Sequence, residues 1–315
     1  MWFPAFVVAT VAALIATPLL ARRAPSRSRR RAPLATAAGP LIAVMAALPF
    51  ALGELDAEVA VGLVGAVWLW FAGQFVDRRL LPKVLRRFAI GAAAALVVAS
   101  GLRLEVSGVG WIDIVLTVGI VWLATSAWRS AKTRDGLLLG WAASIAAGAA
   151  MLGGLDGQAG VAVVGAAVVG ASFGFLPYVV EPVTARLRTG GALFLGFLTA
   201  VLACAAEPSA PAPVGTLAPL LLLALPLIEA TLAGAARVRG RGDEARTLGL
   251  AGRWRALGLS RLATTIGLVV VQAGLAFLAL LVGRGVLDPA PAVALAAIVL
   301  LLVVGPALAA RLDRP

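Results

Sequence analysis

Long apolar runs separated by short polar stretches recur along the whole chain, without the two-residue alternation of a barrel strand. A helix needs roughly 20 apolar residues to cross a hydrocarbon core of about 30 Å, and most of the runs reach or approach that length. In hydrocarbon every backbone amide and carbonyl must find its partner within its own segment or in a closed barrel, so uninterrupted runs of this kind predict helices. The pattern predicts an all-α polytopic membrane protein with about eleven transmembrane helices. They are expected near residues 2–21, 34–53, 57–76, 88–102, 111–128, 137–155, 159–177, 192–206, 213–234, 262–283 and 291–310, forming one integral membrane domain over 1–315. No basic residue precedes the first run, and Arg22, Arg23, Arg27, Arg29, Arg30 and Arg31 follow it, so it is expected to stay as a helix rather than to be cleaved as a signal peptide.

The polar stretches carry a second pattern. Of the 27 Lys and Arg residues, all but Arg103 and Arg284 fall after the first, third, fifth, seventh and ninth runs or in the C-terminal tail. Basic residues collect on the cytoplasmic side of membrane proteins, so this alternation places the N-terminus outside and the C-terminus in the cytoplasm. The opposite loops are short and acidic, as at Glu54, Asp56 and Glu58, or rich in proline, as in 207–213. The longest basic stretch, 235–261, repeats Leu250, Trp254 and Leu257 at helical spacing beside Arg253, Arg255 and Arg261. That predicts a short amphipathic helix lying in the headgroup layer of the cytoplasmic face.

Composition narrows the chemistry. With 61% hydrophobic and 13% charged residues, the partner of most of the surface must be the lipid bilayer. A net charge of +12 would suggest nucleic acid in a soluble protein, but its confinement to alternate loops argues against such a partner here. There is no histidine, and the one cysteine, Cys204, lies in an apolar run, which removes imidazole chemistry, disulfide frameworks and thiolate metal sites.

Several local features recur in a fixed order: eleven runs, Thr17-Pro-Leu-Leu20 before a basic stretch, an acid just after the third run, residues 190–197 opening the eighth, Pro226-Leu-Ile-Glu229 near the end of the ninth, and Leu257-Gly-Leu-Ser-Arg261. That order resembles the polyprenyl-phosphate N-acetylhexosamine-1-phosphate transferases, which load sugar phosphates from UDP-sugars onto polyprenyl phosphate in the bacterial plasma membrane to begin envelope polymers. The resemblance implies a catalytic site of carboxylates holding Mg²⁺ between two phosphates, in loops on the inner face. Of the family's adjacent aspartates after the third run, this chain keeps Asp77; of its two Asp-Gly pairs after the fifth, it keeps Asp135-Gly136. The family's asparagines and the first aspartate of that loop are replaced by Ser126, Arg129 and Lys132, its metal aspartate before the eighth run by Thr189, and its histidine cluster is absent.

Cations entering a site built for a dication change its charge balance. Arg129, Lys132, Arg186 and Arg188 then read either as topology signals or as a cradle for a lipid phosphate, with no resident metal or other cofactor. Asp77 and Asp135 read either as surface acids paired with arginine or, in an active enzyme, as catalytic groups binding Mg²⁺ together with Glu181 and Glu229. Gln74 and Gln272 read as hydrogen-bonding groups between helices, and Gly73, Gly190, Gly191 and Gly196 as sites of close helix packing. The expectation is therefore a catalytically inactive relative of the transferases, binding polyprenyl phosphate or forming a homodimer or a heterodimer with an active relative. The alternatives are an active sugar-1-phosphate transferase with a rearranged site and, less supported by the few ionisable groups in the runs, a lipid transporter.

Overall fold

A computed structural model describes residues 2–22, 39–51, 53–78, 80, 82–130, 135–179, 184–206, 214–238 and 249–309. The described residues are helical or in turns and short connections, with no strand among them. The helices are α1 (Trp2–Arg22), α2 (Gly39–Ala47, continued by a 3₁₀ turn Leu48–Phe50), α3 (Ala57–Asp77), α4 (Lys83–Ala99), α5 (Gly110–Ser130), α6 (Asp135–Leu155) and α7 (Ala159–Val179). After these come α8 (Arg188–Ala205), α9 (Leu217–Leu222), α10 (Ala224–Val238), α11 (Leu250–Ala256), α12 (Arg261–Gly283) and α13 (Pro289–Ala309).

Seven of them, α1, α3, α5, α6, α7, α8 and α12, are long and apolar enough to cross a membrane, and three shorter apolar stretches lie at 39–50, 224–236 and 289–305. α4 covers the fourth expected run but opens on Lys83, Arg86 and Arg87, which dilutes its apolar length. The ninth run, expected to be continuous over 213–234, is two helices joined at Leu223. Its prolines account for the break. Leu222 C=O would normally accept from the N–H of residue 226, but Pro226 has none, and Gln272 Nε2 on α12 donates to that carbonyl at 2.8 Å instead. This is the interhelical role expected of Gln272.

With lipid on the outside, helices associate through close packing rather than through exclusion of water, and small residues set the approach. Ala5, Ala9, Ala13 and Thr17 form a fully buried stripe on α1, which packs on α7. A Cβ placed on Gly174 there would lie 2.5 Å from Thr10 C=O. Tyr178 Oη closes the same seam by donating to Leu14 C=O at 2.8 Å. α8 runs through the middle of the bundle, with every residue from Thr189 to Ala205 buried, and α3, α5 and α6 are packed against it. Several hydroxyls within the helices return to the preceding turn, as Thr125 does to Val121 C=O at 2.7 Å and Ser172 to Val168 C=O at 2.8 Å, whereas Thr17 Oγ1 on α1 is buried without a partner.

The connections separate into two ends. At one, a Cβ on Gly160 would sit 2.5 Å from Glu54 C=O, and one on Gly101 would sit 2.8 Å from Glu58 Oε1. At that end Arg284 also bonds Asp156 at 2.7 Å, which gives a local reason for one of the two basic residues lying off the main pattern. The other end gathers the C-termini of α3 and α7 and the N-termini of α4 and α8.

Candidate functional site

At this second end the last turn of α3 meets the first turn of α8. Asp77 Oδ2 accepts from the backbone N–H of Thr189 at 3.0 Å, and its Oδ1 accepts from Thr189 Oγ1 at 2.5 Å. A carboxylate from one helix therefore caps the N-terminus of another, where unpaired N–H groups and the helix dipole favour negative charge. The approach needs bare backbone: a Cβ on Gly73 would lie 2.5 Å from Gly190 Cα, and one on Gly190 would lie 2.6 Å from Gln74 Nε2. Gln74 is buried there, and its Nε2 makes no hydrogen bond, unlike the reading of it as an interhelical partner. Arg188 enters α8 with φ 51°, a left-handed conformation unusual for a side chain of its size.

Arg188 is half-buried beside this contact and Arg186 is exposed just before it. Arg129 and Asp135 belong to the ends of α5 and α6, but their side chains lie outside what is described; Lys132 and Glu181 lie outside the described residues altogether. Glu229 is buried and turned elsewhere. Its Oε2 accepts from Leu250 N–H at 2.8 Å, holding the start of α11 against α10, and a Cβ on Gly249 would collide with its carboxylate. α11 is the short helix expected in 235–261; Leu250 and Arg253 are buried, and Trp254 Nε1 donates to Val303 C=O of α13 at 2.9 Å. It is docked on the bundle by polar anchors as well as by its apolar face. Among the described residues no three acidic, cysteine or histidine side chains come together as a metal site.

A different set of residues forms the cavity at this end. Arg86, Arg87 and Ile90 of α4, Trp122, Leu123 and Ser126 of α5, and the small Ala230, Ala233 and Gly234 of α10 enclose about 210 Å³. Trp122 Nε1 donates to Arg87 C=O at 3.4 Å, tying α5 to α4 at its wall. Two guanidinium-bearing residues and a hydroxyl, with no carboxylate in the lining, make a site suited to an anion. A second cavity of about 400 Å³ lies between α3 and α4, lined by Trp68, Phe71, Phe75, Leu80, Leu85 and again Arg86. Arg86 is only 5% exposed, although it opens a helix. In the sequence Arg86 and Arg87 read as topology signals. The available cue was an arginine pair inside the first turns of an apolar helix, past its natural start at Lys83.

Comparison with models of known protein families and with curated proteins finds no match to this chain.

Proposed function

We propose that this protein is an eleven-span membrane protein, N-terminus outside and C-terminus cytoplasmic, which binds a polyprenyl-type lipid phosphate on its inner face without transferring sugar phosphate to it. On this reading it is a non-catalytic relative of the polyprenyl-phosphate sugar-1-phosphate transferases in a bacterial plasma membrane. The observation that carries the proposal is the cavity lined by Arg86, Arg87 and Ser126, which has no carboxylate in its lining and shares Arg86 with an apolar groove. Ser126 stands where the resembling family has an asparagine, so the cavity falls in the region to which the resemblance assigns chemistry. Thr189 supports the loss of the reaction. It stands where that family holds a metal aspartate, and its hydroxyl and amide engage both oxygens of Asp77.

In this reading guanidinium groups neutralise the phosphate directly, without a bridging cation. Each charge-assisted hydrogen bond contributes roughly 1.5–3 kcal/mol, so removing both arginines weakens binding by on the order of a hundredfold or more. Native mass spectrometry with undecaprenyl phosphate, in EDTA, tests this by comparing the wild-type chain with Arg86→Ala/Arg87→Ala. Equal binding by the two, or binding abolished by EDTA, refutes the anion site. Release of UMP from UDP-N-acetylhexosamines that requires Mg²⁺ and is abolished by Asp77→Asn would instead establish an active transferase.

A further inference from the structure

α11 gives its inward face to the bundle, but the chain that leaves it is turned out. Every residue from 255 to 263, reading Arg-Ala-Leu-Gly-Leu-Ser-Arg-Leu-Ala, is exposed, and three of them are leucines. The turn is nevertheless held in one shape. Gly258 takes φ 90°, the left-handed conformation that lets the chain reverse after α11, and its N–H donates to Arg255 C=O at 3.0 Å. Ser260 Oγ then accepts from Ala263 N–H at 3.1 Å and caps α12. Leu257 and Leu259 are thereby displayed rather than folded away.

The level of this turn in the bilayer follows from α12. A helix of 23 residues is about 35 Å long, enough for a hydrocarbon core of about 30 Å, so a start at Arg261 puts the turn among the headgroups. Leu262, Ile266, Val270 and Phe277 lie along one exposed stripe of α12, the side that meets lipid, and Leu257 and Leu259 come just before its first member. Arg255 and Arg261 are exposed in the same turn, and the sequence holds no acidic residue between Glu244 and Asp288. Glu229, which touches α11, is buried and turned to Leu250 N–H.

We propose that the turn at 255–262 is a binding surface for anionic phospholipid, with Leu257, Leu259 and Leu262 in the boundary between headgroups and acyl chains and Arg255 and Arg261 against lipid phosphate. The inference does not depend on the lipid-phosphate cavity. Charge decides the occupant. A zwitterionic lipid offsets its phosphate with its own ammonium group, whereas an anionic one leaves a net charge for arginine to meet. A second copy docking through the same face would bring arginine against arginine.

The test places a fluorophore on the turn, at Ala256→Cys in a Cys204→Ser background, and in a separate protein at Gly119→Cys, an exposed position of α5 where a Cβ meets nothing within 4 Å. The full chain is reconstituted in mixed vesicles of phosphatidylcholine and phosphatidylglycerol, and quenching is read with a spin-labelled form of each lipid. At position 256 phosphatidylglycerol should bind more tightly than phosphatidylcholine by about fivefold for each arginine engaged, while at position 119 the two should agree within about twofold. Arg255→Gln/Arg261→Gln should bring the ratio at 256 below about twofold, and so should salt at about 1 M. Leu257→Ser/Leu259→Ser should at least halve quenching by both lipids at 256 and leave position 119 unchanged, which reports that the bundle is intact. Equal quenching by the two lipids at 256, or a preference that survives loss of both arginines, overturns the proposal. Quenching by neither lipid there also overturns it, and energy transfer between dyes at 256 would then give the surface to a second copy.

Discussion

The hydrogen bond from Gln272 to Leu222 C=O exists because Pro226 cannot make it, and that dependence can be measured. Gln272→Leu takes away the donor and leaves a buried carbonyl unpaired, which costs about 1–3 kcal/mol in a fully desolvated site. Two things reduce the figure. Interhelical hydrogen bonds in membranes average only about 0.6 kcal/mol and reach about 1.7, and Gln272 Oε1 is itself buried without a partner, so its removal relieves a cost. The expected net loss is about 1 kcal/mol. In a Pro226→Ala background residue 226 regains an N–H, which can satisfy Leu222 C=O along the helix. There Gln272→Leu should cost nothing or stabilise slightly. The full cycle, measured by reversible unfolding in mixed detergent and SDS micelles, should give a coupling of about 1 kcal/mol. An equal cost for Gln272→Leu in both backgrounds would refute the substitution of one donor for the other, and with it the account of the broken helix.

Gly73→Ala should destabilise by about 1–3 kcal/mol, since its Cβ meets backbone at 2.5 Å, whereas Gly119→Ala, with nothing within 4 Å, serves as the neutral control in thermal unfolding. Asp77→Ala removes the acceptor of both Thr189 bonds and should lower stability by about 0.5–2 kcal/mol; Thr189→Ala keeps the backbone bond and should cost less, and the reverse order would count against the cross-helix cap. In a Cys204→Ser background, single cysteines at Gly53, Glu105 and Gly157 should react with an impermeant thiol reagent from outside, and those at Leu80 and Arg186 only after permeabilisation. Labelling on the opposite face at two of these positions would overturn the proposed orientation.

Helix positions were legible because hydropathy and length are local properties of the chain. α1, α3, α5, α6, α7 and α12 lie within a few residues of the expected runs. The break at Leu223 was not foreseen, although Pro219 and Pro226 were visible, because whether a proline interrupts a helix depends on who satisfies the freed carbonyl. That donor lies on α12, far along the chain. The site shows the same division. Asp77 could be singled out by its place after an apolar run, but its partner Thr189 is a tertiary fact, since more than a hundred residues separate them. Glu229 was recognised as an acid at membrane depth; that it holds α11 in place could be seen only once Leu250 was beside it. Arg86 was hidden because an arginine near a helix start reads as a positive-inside signal, and only packing shows it to be buried between two cavities.

The burial of α8 from end to end bears on how the chain is assembled as it is made. Its main neighbours α3, α5 and α6 all precede it in the sequence, so the ribosome delivers the walls before the central column. Until residue 205 has been synthesised, the faces of α3 and α5 that will grip Phe197 and Gly196 have only lipid or one another to meet. Insertion of α8 therefore completes the packing of α3, α5 and α6, whereas α1, α6 and α7 already have one another to pack against, and a ribosome pause just after α8 would give that step time to finish before α12 arrives.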